Sequence, residues 1–237
     1  MWTPAALASS ARRLSGRIWR VVEHQHTIAT RKIVDTLDEQ AVLEDILEET
    51  KPPYPPAAEH LHYLLKTPFR YAPSPYASRF RPANDSRGIF YGAESVRTGL
   101  AEVGYWRRRF LAASPGTPPP RNPESLTTFS VDYRSRHALD LFRPPLDRDR
   151  ALWMHPEDYT ATHALALNAR EVGIEAIRYE SVRAPGHEAC LALLEPAAFV
   201  SSRPVEMQTW YLFLGEAEIS CIRAGQSETY TFPAETI

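Results

Sequence analysis

The stretch Ser78-Arg-Phe-Arg-Pro-Ala-Asn-Asp-Ser-Arg-Gly-Ile-Phe-Tyr91-Gly-Ala-Glu-Ser-Val-Arg-Thr-Gly-Leu-Ala-Glu102 decides how the rest of the chain is read. It opens as a basic turn and passes through a short apolar run at 88–91. It then enters a segment with apolar residues at helical spacing: Val96, Leu100, Val103, Trp106 and Phe110. The prediction is a strand over 88–91 followed by a helix over 94–112. Three chemically capable side chains lie along this unit. Arg79 precedes the strand, Tyr91 ends it and Glu102 sits within the helix. Such a trio suits a phosphorylated ligand and a reaction that develops positive charge, although each residue alone is more commonly a solvated charge or a packing ring. Gly99 and Gly104 fall inside the helix, where each costs about 0.5–1 kcal/mol relative to Ala. Close approach of another backbone or a ligand is the expected reason. Arg107, Arg108 and Arg109 suit the negative end of the helix dipole and read as a solvated cap.

Toward the N-terminus, residues 17–22 alternate and are β-branched, which predicts a strand with Arg20 in it. Residues 1–16 read as a flexible lead-in, rich in Arg, Ala and Ser and free of acid; a transit peptide is the alternative. Leu37, Ala41, Leu43, Ile46 and Leu47 approximate a helical stripe with acids opposite, which predicts a helix over 35–49. The prolines at 52–56 end it, a short helix over about 57–66 follows, and 67–86 reads as an ordered loop with four prolines.

Toward the C-terminus, the proline-rich run at 114–123 is a stiff connection. Strands are predicted at 126–133 and 138–142. A helix over 156–172 is closed by Gly173, and strands follow at 174–179 and 190–194. An antiparallel meander at 206–215, 218–222 and 228–232 ends the chain. The predicted elements give an α+β fold class, a mixed β core with the three longer helices packed outside. Chemistry drawn from both sides of the proline-rich run argues for one domain over 17–237.

Composition limits the function. At 237 residues, 43% apolar and 24% charged, the chain is that of an ordinary globular protein. A net charge of -2 gives no basis for a general polyanion binder. No apolar run approaches the ~18–20 residues of a membrane span, so a cytoplasmic protein is expected. Cys190 and Cys221 are expected as reduced, buried thiols. His24-x-His26 and His60-x-His62 lack a third-ligand pattern, and no metal is expected. Ser181 with His187 lacks the Gly-x-Ser-x-Gly elbow of a hydrolase. There is no Gly-x-Gly-x-x-Gly and no Walker lysine motif.

Three passages resemble the RES domain family, named for Arg, Glu and Ser: Ser78-Arg-Phe-Arg81; Ile89-Phe-Tyr-Gly-Ala-Glu-Ser95 with Gly99-Leu-Ala-Glu102; and Gly173-Ile-Glu-Ala-Ile-Arg-Tyr-Glu-Ser181-Val-Arg183. The chain departs from the family pattern at Ala77-Ser78, where a glycine pair is usual, and at Phe80, where tryptophan is. Whether Arg79 or Arg81 is the family arginine therefore stays open.

The resemblance implies an ADP-ribosyltransferase-like fold, a strongly bent mixed β core split around an NAD cleft, and NAD as co-substrate. It also implies a bacterial toxin with an Xre-type antitoxin partner. Members pass ADP-ribose to a protein or to phosphate. A mono-ADP-ribosyltransferase acting on a cellular protein is the leading expectation. An NAD phosphorylase or glycohydrolase is the alternative, and a catalytically inactive binding module is another. The residue chemistry agrees with NAD cleavage. The nicotinamide departs neutral, so the barrier lies in building an oxocarbenium ion, as in glycoside cleavage. Glu102 is the expected stabilising carboxylate. Arg79 and Arg20, with Arg31 behind them, are the expected pyrophosphate ligands. Tyr91 offers a ring face and a hydroxyl. Ser181 offers a hydroxyl to ribose or carboxamide, and Arg183 would share its strand face.

Overall fold

The computed structural model describes residues 2–23, 34–70, 75–114, 116–118 and 120–233. The first helix, α1 (Pro4–Ser10), is capped by the Thr3 side chain and has proline in its first turn. Its Leu7 is fully buried, so part of the segment expected as a flexible lead-in packs as a helix onto the core. Strand β1 (Arg12–Glu23) starts five residues before the predicted strand. Helix α2 (Leu37–Glu49) has a reciprocal capping box between Thr36 and Glu39. The predicted helix at 57–66 is a 3-10 turn at Pro56–Ala58 followed by α3 (Tyr63–Lys66), separated by residues 59–62. The central unit is β2 (Phe90–Ala93) and α4 (Val96–Ala112), the latter capped by Ser95.

Next comes β3 (Glu124–Asp140), one 17-residue strand where two were predicted. Arg134, Arg136 and His137 give 134–137 a loop-like sequence, but Ser135 is buried and β1 pairs with the strand on both sides of this point. Helices α5 (Arg150–Trp153) and α6 (Thr160–Glu171) precede β4 (Ala176–Glu180) and β5 (Ala189–Leu193). The meander is β6 (Glu206–Leu214), β7 (Glu218–Arg223) and β8 (Thr229–Pro233).

The eight strands form one mixed sheet in the order β1-β2-β5-β4-β3-β6-β7-β8, and β1 also pairs with β3. That extra pairing runs from Arg12↔Ala138 to Glu23↔Leu126, while β1 meets β2 at Trp19↔Ala93. Strands β1, β2, β5, β4 and β3 therefore close into a ring. Only β3–β4 is parallel. The meander extends from the opposite edge of β3, beginning with Glu124↔Leu212.

Strand alternation divides the core. Phe90, Leu191, Leu193 and Ala176 pack in a cluster with Leu61, Leu64, Leu65 and Phe69. The alternate residues Cys190, Ala192, Ile177 and Tyr179 join Trp2, just before α1, and Leu7, Trp153 and Leu165 from the helices. A third cluster lies between α4 and the meander: Leu100, Ala101, Trp210, Ile219 and Phe232.

The helix faces differ from the predicted stripes. In α4 the buried residues are Thr98, Gly99, Leu100, Ala101 and Gly104, while Trp106 and Phe110 are exposed. A Cβ on Gly99 would meet Val21 Cγ2 at 3.0 Å, and one on Gly104 would meet Ile219 Cδ1 at 3.1 Å. The two glycines thus let α4 lie close against β1 and β7. In α2, the stripe residues Leu37, Ile46 and Leu47 are exposed. Arg107 pairs with Glu23 and Glu124, and Arg108 donates to the carbonyls of Gly215 and Glu216. Arg109 pairs with Glu157 at 3.2 Å, so the expected solvated cap is tied to neighbouring elements. Among the described residues no helix is long and apolar enough to cross a membrane.

Candidate active site

A cleft of about 510 Å³ opens where the C-terminal half of β1, β2 and α4 meet the 76–81 loop. Its lining includes Arg20, Arg79, Arg81 and Arg183 and, among the described residues, a single carboxylate, Glu102. Six aromatic residues share the lining, among them Trp19, Tyr91, Trp106 and Tyr179. Four guanidiniums around one acid make the cleft electropositive, and arginine forks match phosphate oxygens bidentately. The volume falls within the usual range for small-molecule sites, about 300–1,000 Å³.

The basic stretch forms a tight turn. The Ser78 and Arg81 backbones bond reciprocally, with N···O distances of 2.9 and 3.1 Å. Phe80, 1% exposed, inserts between the two arginines and meets the Tyr179 ring edge-on at 4.9 Å. The Tyr91 hydroxyl accepts from Phe80 N at 3.1 Å and lies 2.9 Å from Ser78 Oγ. From α6, His163 Nε2 lies 2.8 Å from the Ser78 carbonyl, and Thr162 donates to the Arg79 carbonyl. Burial raises the Tyr91 phenol above its ordinary pKa, so it stays protonated.

The turn gives its two arginines different surroundings. Arg81 is 6% exposed and donates to the carbonyls of Tyr76 and Asp85, bracing the loop from within. Arg79 lies over the Tyr159 ring at 4.8 Å and donates from Nη1 to the carbonyls of Trp153 and His155. Arg79 also acts electrostatically on Glu102.

Glu102 projects from α4 into the cleft. Ser181 Oγ donates to its Oε1 at 2.6 Å. Burial raises the carboxyl pKa, partly opposed by the Ser181 hydrogen bond and by the positive charges of Arg79 and Arg183. Ser181 is fully buried, and its Oγ also accepts from the backbone N–H of Ala184 at 2.9 Å and of Arg183 at 3.3 Å. Its hydroxyl proton is thus directed at Glu102. Ser181 and Arg183, expected to share a strand face, lie just beyond the end of β4. Arg183 covers the Tyr105 ring at 3.9 Å and donates to the Pro156 carbonyl.

Arg20 occupies a different position. Alternation along β1 sets it apart from Trp19 and Val21. Its guanidinium lies 4.9 Å from the Phe90 ring centroid and donates to the Tyr91 carbonyl at 3.0 Å. It therefore holds the end of β2 that carries Tyr91. Arg31 lies outside the described residues, as do His24 and His26. His62 accepts from Leu64 N at the start of α3. Among the described residues no group of three or more His, Cys, Asp or Glu could hold a metal ion. His187 Nδ1 bonds the Ser181 carbonyl, not its hydroxyl, so a Ser–His dyad is not formed. Both cysteines are free and buried.

Sequence reasoning missed the 153–159 turn, whose carbonyls hold Arg79 and Arg183 and whose Tyr159 covers Arg79. Backbone acceptors carry no sequence signal. It also missed Trp106 as a cleft residue, because Trp106 fitted the apolar spine of α4.

The site is thus an arginine-lined cleft around a half-buried, hydrogen-bonded carboxylate, set in an α+β fold with a ring-closed sheet. The RES domain model matches residues 52–214, well over half of the chain, and the chain belongs to that family. Its fold is similar to that of a chain in the crystal structure of the M. tuberculosis MbcT–MbcA toxin–antitoxin complex. The identity is 10%, the TM-score is 0.50, and the alignment covers 89% of this chain and 91% of that one. No curated protein shows significant similarity.

Proposed function

We propose that this protein cleaves the nicotinamide–ribose bond of NAD and transfers ADP-ribose to an acceptor, acting in the cytoplasm as the toxin of a bacterial toxin–antitoxin pair. The observation that carries the reading is the position of Glu102: the one carboxylate among the described residues that line the cleft, held by a buried serine and surrounded by arginines. Family membership and the likeness to a toxin–antitoxin structure support it. A co-encoded antitoxin of Xre type is the proposed partner.

In this reading Arg79 and Arg183 take the pyrophosphate, with Arg31 an additional ligand, and Arg20 fixes Tyr91. Glu102 faces the ribose carbon from which nicotinamide departs. As positive charge grows on that carbon and the ring oxygen, a preorganised carboxylate stabilises it. The pyridinium leaves as a neutral molecule, so no proton donor is required. Ser181 orients the carboxylate and keeps its charge available by hydrogen bonding to the ionised form.

The favoured acceptor is a protein side chain. Tyr76, 79% exposed in the cleft-lining loop, offers apolar purchase to a macromolecule at the rim. The second reading is transfer to inorganic phosphate. Arg20 and Arg81 favour it only through their charge, since both line the cleft beyond the two arginines assigned to the pyrophosphate while their guanidiniums bond backbone carbonyls. Incubating the purified protein with labelled NAD in a cell lysate, with and without added phosphate, separates the readings. Label on a protein band supports the first, and phosphorylated ADP-ribose in solution supports the second. No nicotinamide release under either condition contradicts the proposal.

A further inference from the structure

We infer that Trp106 is a specificity residue that selects the oxidised, cationic nicotinamide ring by stacking against it. This rests on the proposed NAD reading and extends it to a residue outside the Arg/Tyr/Glu/Ser set.

Trp106 follows Glu102 by four residues on α4, which places it on the same helix face, about 6 Å further along the axis. It lines the same cleft and is 50% exposed. Tyr105 meets its ring at 81° with centroids 5.2 Å apart, and Arg109 lies over it at 5.9 Å. The indole is therefore held by its neighbours while remaining open to a ligand.

The departing ring is joined directly to the carbon that Glu102 serves, so it lies within one ring's breadth of that carboxylate. Three of the other lining rings are engaged, Tyr159 by the Arg79 guanidinium over it. The Tyr91 hydroxyl is fixed to the 78–80 turn, and Tyr179 is buried against Phe80. Charge narrows the choice further. Four lining guanidiniums repel a pyridinium, which leaves Glu102 and the faces of aromatic rings as its favourable partners. Tryptophan is the strongest aromatic partner for a cation. The reduced, uncharged dihydronicotinamide gains none of this attraction.

The stacking attraction is strongest before the bond breaks and fades as the ring becomes neutral. Its removal should weaken binding without slowing the chemical step. The test compares the protein with Trp106→Leu, which keeps an apolar side chain and loses the π face. Steady-state nicotinamide release is measured together with calorimetric binding of NAD, NADH and ADP-ribose in a Glu102→Gln background, which is expected to stop turnover. The expected result is a KM for NAD raised about fivefold with kcat not lowered. NAD affinity should fall by the same factor, with NADH and ADP-ribose affinities unchanged. Trp106→Phe should recover part of the loss.

Equal weakening of NAD and NADH would overturn the charge selection. Weakened ADP-ribose binding would place another part of the ligand on the indole and overturn the inference. Unchanged NAD binding in Trp106→Leu would overturn this inference alone. A protein that binds no NAD with Trp106 intact would overturn the functional reading, and this inference with it.

Discussion

Ser181 Oγ and Glu102 Oε1 lie 2.6 Å apart although the residues are 79 positions apart in the chain. The contact joins the helix of the central strand–helix unit to the loop after β4. Two backbone N–H groups donate to the same hydroxyl oxygen, which leaves its proton for the carboxylate. The hydrogen bond counteracts the rise in the Glu102 pKa caused by burial.

Replacing Ser181 with alanine should therefore move the pH profile. Without the hydroxyl, Glu102 protonates more readily, and the acid limb of kcat shifts to higher pH. Activity should be reduced near neutrality and partly recovered in alkaline buffer. The variant should also lose stability, on the order of 1–3 kcal/mol, because the Ala184 N–H loses its buried acceptor. A pH–rate profile with an unmoved acid limb would exclude the positioning role.

Glu102→Gln makes a stability prediction with the opposite sign. The carboxyl pKa is higher in the folded protein than in the unfolded chain. The folded state therefore holds the proton more tightly, and this group's contribution to stability falls as pH rises from the unfolded value through the folded one. Above that window the buried charge is a cost, which glutamine removes while still accepting from Ser181. Thermal melts at pH 7.5 should give Glu102→Gln a Tm equal to or above that of the unsubstituted protein. The difference should shrink as pH falls. A lower Tm would mean that the ionised carboxylate stabilises the fold.

Much of this arrangement is legible in the sequence. The Tyr91–Glu102 spacing follows from a short strand ending where a serine-capped helix begins, and both elements lie close to their predicted bounds. The turn reads as basic, and Ser181 stands out through the likeness of Tyr179-Glu-Ser-Val-Arg183 to the family pattern. What was not legible depends on partners distant in sequence. α1 shows little apolar periodicity, with Leu7 its one buried residue. The continuity of β3 through 134–137 comes from pairing with β1. The buried face of α4 is its glycine and alanine side, set by close approach to Val21 and Ile219. Apolar spacing instead pointed to Trp106 and Phe110. In α2 the stripe residues Leu37, Ile46 and Leu47 are exposed and Leu43 is half-buried. Periodicity identifies a helix there without identifying what it faces.

The two arginines of the turn should separate by assay. Arg79→Ala is expected to weaken NAD binding by about 1.5–3 kcal/mol, the scale of a charged hydrogen bond, with a small change in Tm. Arg81 is nearly buried and braces the loop through the Tyr76 and Asp85 carbonyls, so Arg81→Ala should lower Tm as well as affinity. Calorimetry and melting curves on both variants check this. Unchanged affinity in Arg79→Ala would transfer the ligand role to Arg81.

Gly88 should tolerate no side chain. A Cβ there would lie 2.0 Å from the Pro68 carbonyl oxygen and 2.5 Å from Phe69 Cα, both backbone atoms. Gly88→Ala must displace the 67–69 turn or the start of β2, at a cost of about 1–3 kcal/mol or more. Urea unfolding should show a lower midpoint. A midpoint matching that of the unsubstituted protein would mean that the 67–69 turn moves freely.

The central claim concerns Glu102, and nicotinamide release by purified protein tests it most directly. The intact protein should release nicotinamide from NAD. Glu102→Gln should release none above background while retaining its melting transition and its ability to bind NAD. Release by Glu102→Gln at the rate of the intact protein would remove Glu102 from the catalytic role, and no release by the intact protein would contradict the account as a whole.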